Sequence, residues 1–508
     1  MLKFLVNLLV VLIAITLLGS ISSGNDLPLG RPDTDLYYST LRELYLRGLA
    51  DSPKILFSPV SNKYIKELSR ENYQGHIAKV SASLKLVNSR FYNSSDGFNF
   101  SVPAITYGSA NNSEKNAYLA LFPSMNYRMS NTILLELVYR LDSGLNDDSL
   151  YTGKIWNGFA GYAQSANLKY QGKKLSIDVG RRKSRWGIAG DGNTLLLSKP
   201  ARPLDGLFID YKINRLISFH FINAYLSRIY SDASQENSGS IVNRYLSSHA
   251  LRISPSIWLD LVFKESVIYG GPGRRLEFNY AIPFLWFHGE QLNEDFDDNT
   301  FLGMEAVIRL RNKYAGYFEL LVDDFQIEKN TLSDNEPNEV GYIAGINIFD
   351  FPVNASRLEI EYSRISNFTY NQIRSYNRYT NYNMPIGHPL GPDHESFAVS
   401  YMYHIKKNIT TELEFYIKRR GEGRINDPWE TPWINDPAYA NKFPSGIVEK
   451  THGGTFGLSF QKSDILQGEF SLSYKSIKNY RNIAGIDKNL WGVDFRVIVT
   501  ALSFQRGH

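Results

Sequence analysis

No cysteine occurs in the 508 residues. That excludes disulfides, thiolate metal sites, cysteine nucleophiles and a lipid-bearing N-terminal cysteine. Beyond the first twenty residues no apolar run is long enough to cross a membrane as a helix, which takes about 20 residues. Charge of one sign is also scarce. Lys and Arg number 55 against 51 Asp and Glu, a net +4, and the basic residues form only short clusters, which argues against nucleic acid as a partner. No blade-length repeat is present, so a propeller is disfavoured. No Gly-Lys-Ser/Thr closes a phosphate loop. The nine His and many Ser show no legible Ser-His-Asp arrangement. No catalytic role, cofactor or metal is expected.

What the chain does have is alternation. From Ile77 to Phe504, phrases of about ten residues switch between apolar or aromatic and polar, and turn-rich breaks separate them. Period two is the strand signal, because successive side chains point to opposite sheet faces. Leu413, Phe415 and Ile417 oppose Glu412 and Glu414. Phe470, Leu472 and Tyr474 oppose Ser471, Ser473 and Lys475. Similar phrases run through Val80–Leu86, Ile133–Leu141, Phe397–Tyr403 and Trp491–Val499, with parity blurring near Leu502 and Phe504. Leu168 and Tyr170 lead through Gln171-Gly172-Lys173 to Leu175, a hairpin. An aromatic-rich apolar face recurring along the whole chain, with 33 Tyr and 29 Phe, reads as a wall with lipid outside and water inside. A β-sandwich would need one shared core instead. The expectation is an all-β transmembrane antiparallel barrel in a bacterial outer membrane. It has about 18 strands, 16 being the nearest alternative, since such barrels take an even number. Long breaks at 228–240, 287–300, 328–340, 366–395 and 420–453 alternate with tight turns.

Before the strands, Lys3, the apolar run Phe4–Leu18 and the small residues Gly19–Gly24 have a signal-peptide layout. The run is short for the rival, an uncleaved anchor. Three segments are expected: a signal peptide over 1–24, a periplasmic helical segment or plug over 25–74, and the barrel over 75–508. In the second, Asp33-Thr34-Asp35 would cap a helix through Leu41, Leu44 and Tyr45 that ends near Gly48, and Ser61 would cap another through Tyr64, Ile65 and Leu68.

The densest motif is Gly180-Arg181-Arg182-Lys183-Ser184-Arg185-Trp186-Gly187, continuing through Asp191 to Ala201-Arg202-Pro203. Arg181, Arg182, Arg185 and Arg202 have the planar fork that grips carboxylate or phosphate. Trp186 has a face for a sugar ring or a guanidinium. The alternative is a loop folded into the lumen, its Arg groups paired with wall carboxylates such as Glu136. Composition leaves both open. Asp323 and Asp324 are adjacent on a strand and face opposite ways, so they cannot flank one bond; pairing with lumen Arg groups is expected. The acidic run Asn293–Asp298 reads as a solvated loop. His388, His394 and His404 lie near one another without metal-ligand spacing.

An ordered set of segments resembles the capsule assembly Wzi family. It comprises Gly180-Arg181 with Trp186-Gly187, Leu195-Leu196-Leu197-Ser198, Ala201-Arg202-Pro203, His249-Ala250-Leu251-Arg252, Glu265 with Tyr269-Gly270-Gly271, Val322-Asp323-Asp324-Phe325 and Gly387-His388-Pro389-Leu390-Gly391-Pro392-Asp393. The early Leu41-Arg42 and Arg47-Gly48-Leu49 resemble the family's helical start. The resemblance implies an 18-stranded barrel with a helical element at the periplasmic end. It also implies a non-enzymatic, lectin-like role in which surface polysaccharide is bound and its assembly or attachment assisted. Arg181, Arg182, Arg185, Trp186, Asp191, Arg202, Asp323 and Asp324 are the residues expected to serve glycan binding or a lumen network. Expected partners are surface polysaccharide, outer-membrane lipid and lipopolysaccharide, and the barrel-insertion machinery. A porin or substrate-selective channel is the second reading, and a lipid or glycan hydrolase the third.

Overall fold

The computed structural model describes residues 35 to 507 with short interruptions, the longest at 83–96, 231–238 and 326–335. The signal-peptide region, Asp33, Thr34 and Ser61 lie outside the described residues. No described helix is long and apolar enough to cross a membrane. The strands do so instead.

The barrel strands are β1 (Gly97–Asn111), β2 (Lys115–Leu121 continued by Ser124–Arg128), β3 (Ile133–Asp142), β4 (Ala160–Gln171), β5 (Leu175–Arg182) and β6 (Leu204–Lys212). Then come β7 (Ile217–Tyr230), β8 (Ile241–Ser256), β9 (Leu259–Gly271), β10 (Asn299–Leu310), β11 (Tyr314–Asp324) and β12 (Glu339–Phe349). The last six are β13 (Ser356–Ile365), β14 (His394–Lys406), β15 (Ile409–Arg420), β16 (Glu449–Gln461), β17 (Leu466–Lys478) and β18 (Lys488–Gly507). Both halves of β2 pair with β1 and β3, so Phe122-Pro123 interrupts one strand rather than separating two. Every pairing is antiparallel, and β1 against β18 closes the cylinder.

Alternation sets the wall. On β15 Leu413, Phe415 and Ile417 are exposed on the outside, and on β17 so are Phe470, Leu472 and Tyr474. On β11 Tyr314 and Phe318 face out, while Tyr317, Glu319 and Leu321 face in and are buried. Parity fails in β18 for a local reason. Val102 pairs with Leu502 and Pro103 with Thr500, so Ala501 is an extra residue in a bulge, which breaks the period of two.

The alternation read at Val80–Leu86 does not open the barrel. Ile77–Val80 is one helical turn with Val80 buried, Leu84 and Leu86 lie outside the described residues, and the first described barrel strand begins at Gly97. So short an apolar pattern also fits a helical turn.

Turns are short at one end, as at 172–174, 257–258, 311–313 and 407–408, and, apart from 112–114, long at the other. Short turns mark the periplasmic end of such barrels. The helix α1 (Asp35–Leu46) lies across that end. Its Tyr37 hydroxyl accepts from Gln461 of β16 and Gln467 of β17, at 3.1 and 3.2 Å. At the far end Arg47 donates to Asp350, between β12 and β13, at 2.8 Å. A twelve-residue helix is about 18 Å long, enough to bridge the bore. Gly48 terminates it at φ +73°, the left-handed turn that glycine adopts without strain.

Candidate functional site

The apolar core lies inside the bore. Leu41, Leu44, Tyr45 and Leu46 of α1 join Leu56, Phe57, Trp186, Ile188 and Leu195–Leu197 in one buried cluster against the inner wall. The loop 183–203 reaches this cluster by folding inward from the long-loop end. Its backbone then pairs with the N-terminal segment: Phe57 is opposite Trp186 and Ser58 opposite Arg185. Gly187 N–H donates to the Leu56 carbonyl at 2.8 Å.

Buried backbone amides need acceptors. The wall supplies them as carboxylates. Ile188 N–H donates to Glu305 at 2.9 Å, Gly190 N–H to Glu361 at 2.8 Å and Leu195 N–H to Glu319 at 3.1 Å. Lys264 bridges Glu305 and Glu319 at 2.8 and 2.9 Å. Arg42 of α1 donates to the Ile188 carbonyl at 2.7 Å and forks onto Glu359 of β13 at 2.9 and 2.5 Å. Helix, loop and wall are thus one polar lattice around an apolar centre. Beside it, burial disfavours charge on Glu43, but His404, Arg47 and Arg357 more than offset that and hold its carboxyl far below the usual carboxylate range.

The expected site residues divide. Trp186 is buried edge-on against Phe57, with no face open to a sugar. Arg185 is buried and donates to the Ile55 carbonyl at 2.9 Å and to the Ser58 hydroxyl at 3.2 Å; burial pushes its guanidinium down to about 10. Arg182 forms an ion pair with Asp178 and covers the Phe208 ring. Arg181 is half-buried on Asp205, at 2.5 and 2.6 Å. Arg202 meets Asp148 at 3.2 Å and lies over the Tyr162 ring. Their carboxylate partners are therefore Asp178, Asp205 and Asp148, not Glu136. Glu136 instead accepts from Ser165 and, at 3.4 Å, from Asn167, because Arg181 meets its register neighbour Asp205 and Arg182 meets Asp178 four residues back on its own strand. Asp323 accepts from Tyr370 N–H at 2.6 Å rather than from an Arg, because the loop 366–393 folds over it. Asp324 is the next residue, half-buried at the end of β11. Asp298 is no solvated group: it is buried against Arg274, with the Tyr280 hydroxyl at 2.9 Å. His388 and His394 stack at 4.6 Å, while His404 meets Glu43 at 3.2 Å.

Two concavities stand out among the described residues. One is a lumen cavity of about 1050 Å³ between the plug and the wall formed by β13–β18 and β1–β3, where Asp191, Glu412 and Glu414 face the space. Lys199, Arg357, Lys418 and Arg496 line the same space, so its charge is mixed. The other is a groove of about 290 Å³ at the long-loop rim, lined by Asp205, Tyr225, Arg228, Asn381, Tyr382 and Asn383. Tyr225, Arg228 and Tyr382 are exposed there. The Tyr382 segment is pinned across the rim by Tyr382 N–H to Ser227 Oγ at 2.7 Å and by Ser227 N–H to Asn381 at 3.0 Å. Sequence reasoning missed Tyr225, Arg228 and Tyr382. They carry no motif and meet only through the fold, although the long break over 366–395 marked the region.

A family model described as capsule assembly protein Wzi matches residues 94–489. Among solved structures, Escherichia coli Wzi, an outer-membrane protein involved in group 1 capsule assembly and described as a carbohydrate-binding β-barrel, aligns with a TM-score of 0.62 at 13% identity, over 94% of this chain and 99% of that one. Pseudomonas aeruginosa OccK3 (OpdO) aligns at 0.46 and 9% identity, over 82% and 99% of the two chains. P. aeruginosa OccD3 (OpdP) aligns at 0.45 and 11% identity, over 80% and 92%. No curated protein sequence matches. A family match running from just before β1 into β18, on a closed barrel of eighteen strands with a greasy outer wall, makes this chain an outer-membrane member of the capsule assembly Wzi family.

Proposed function

We propose that the barrel binds capsular or related surface polysaccharide at its outward rim, without catalysis, and assists the glycan's assembly or attachment at the cell surface. Membership of a capsule assembly family carries the reading. The rim groove supports a location: exposed Tyr225 and Tyr382 offer faces for sugar rings, and Arg228 offers an anion fork beside the Arg181–Asp205 pair. The lumen cavity is of mixed charge and is closed on one side by Tyr38, Thr40 and Arg42 of α1, which suits a long polymer less well than an open rim. Many weak rim contacts along a repeating polymer add up by multivalency.

The test is binding of the purified protein to the producing strain's own surface polysaccharides. Tyr382→Ala and Arg228→Ala should each weaken binding about tenfold, some 1.4 kcal/mol. No binding by the unaltered protein, together with unchanged glycan retention after gene deletion, would overturn the proposal. If glycan binds but neither variant matters, the rim groove is wrong as its location.

A further inference from the structure

Not every outward-facing wall residue is apolar. On β9 Phe263 faces lipid, and Glu265, two residues on, shares that face. Its register partners confirm the side: Leu302 on β10 is exposed, and His249 on β8 meets Glu265 at 3.0 Å. Asn223 and Ser247 are paired one step further along the same face and share a 2.7 Å hydrogen bond. A carboxylate on the lipid face of a barrel is unfavourable if it is left bare.

It is not bare. The loop joining β9 to β10 folds down outside the cylinder and covers this patch. Phe287 and His288 donate their backbone N–H groups to Glu265 at 3.1 and 2.8 Å. His288 Nδ1 meets the Thr300 hydroxyl at 2.9 Å. Tyr280 and Phe287 bury their rings against Phe219, Phe221, Tyr245 and Tyr269. Glu265, Asn223 and Ser247 are buried beneath the flap, and His249 is half-buried. Its other side carries Leu276, Phe278, Ile282, Trp286 and Leu292, all exposed, with Phe278 at 82% and Leu292 at 69%, and exposed Phe284 has its ring 4.6 Å from that of Phe219. This apolar side continues the wall's lipid-facing surface at Phe263 and Leu302.

We propose that residues 276–292 form a lipid-binding flap whose exposed side chains insert among the acyl chains of the outer leaflet. Two requirements are met together. The flap hides the Glu265 carboxylate from lipid, and it replaces that polar face with an apolar one.

The absence of cysteine makes the test clean. Single variants Phe278→Cys and Leu292→Cys would carry a nitroxide in the full chain, reconstituted in phosphatidylethanolamine–phosphatidylglycerol vesicles. Phe263→Cys is the wall control and Ile257→Cys, in a short turn, the water control. At 278 and 292, the ratio of oxygen to nickel-chelate accessibility should fall within about twofold of the wall control and exceed the turn control at least about fivefold, as expected for side chains sunk below the headgroups. Values matching the turn control would overturn the proposal. So would protection from both reagents, which would show a protein surface, such as a second copy, covering the flap. All four positions are exposed, so misfolding is not expected. Heat-modifiable migration of each variant checks that it is folded.

Discussion

Arg185 shows how one residue type can serve opposite ends. Its fork suits an anionic ligand, yet the fold spends it on the Ile55 carbonyl and the Ser58 hydroxyl inside the plug. Removing it leaves those acceptors buried and unsatisfied, at a cost of about 1–3 kcal/mol. Arg185→Ala should therefore make the N-terminal segment more susceptible to protease while leaving glycan affinity unchanged. A binding loss as large as that of Tyr382→Ala would return Arg185 to the glycan site. Glu43 gives a second residue-scale prediction, in pH. Its folded carboxyl titrates below its ordinary value of 4.5, so its contribution is present above that value and is lost as pH falls through the folded value. The plug should stay seated from neutral pH down to about 4.5 and loosen only in stronger acid. Protease nicking of α1 that began between pH 7 and 5 would show another group in control.

At the scale of elements, the loop 183–203 is the strut between helix and wall. Cutting it back to a short turn removes the Ile188 carbonyl from Arg42 and the loop amides from Glu305, Glu319 and Glu361. The barrel strands keep their own ladders, so the shortened protein should still insert and migrate heat-modifiably while α1 becomes protease-sensitive. An equally protected α1 would mean the wall alone holds it. This strut also shows what the sequence makes legible. Alternation gave the strands of β15 and β17 and their facing, because each position answers only to lipid or water. The helix through Leu41, Leu44 and Tyr45, ending at Gly48, was readable from local spacing. Loop partners were not. Whether Arg181 meets Asp205 or Glu136 depends on register between strands, which no local pattern encodes. Val80 went wrong because a short apolar pattern serves helix and strand alike. The rim aromatics Tyr225 and Tyr382 come together from β7 and a loop some 150 residues later, with nothing at either place to announce the other.

On the scale of the whole molecule, the apolar core sits where a channel would have its water. A barrel of this strand number encloses a channel unless its interior is filled. Here α1 crosses the periplasmic mouth from Gln461 and Gln467 to Asp350, and the loop 183–203 packs on it from the other side. The remaining lumen cavity is bounded below by Tyr38, Thr40 and Arg42 of the same helix. In planar bilayers the intact protein should therefore conduct poorly. The variant Arg42→Met, Leu44→Ala should conduct more. It breaks the Glu359 ion pair and leaves a core cavity, two losses of about 3–5 and 2–5 kcal/mol respectively. A large, steady conductance in the intact protein, unchanged by these substitutions, would mean that ions bypass the plug and would favour a channel function. A silent intact protein whose conductance appears with the substitutions would show that this fold is closed by its N-terminal helix, leaving the outward rim as the surface on which a polymer is met.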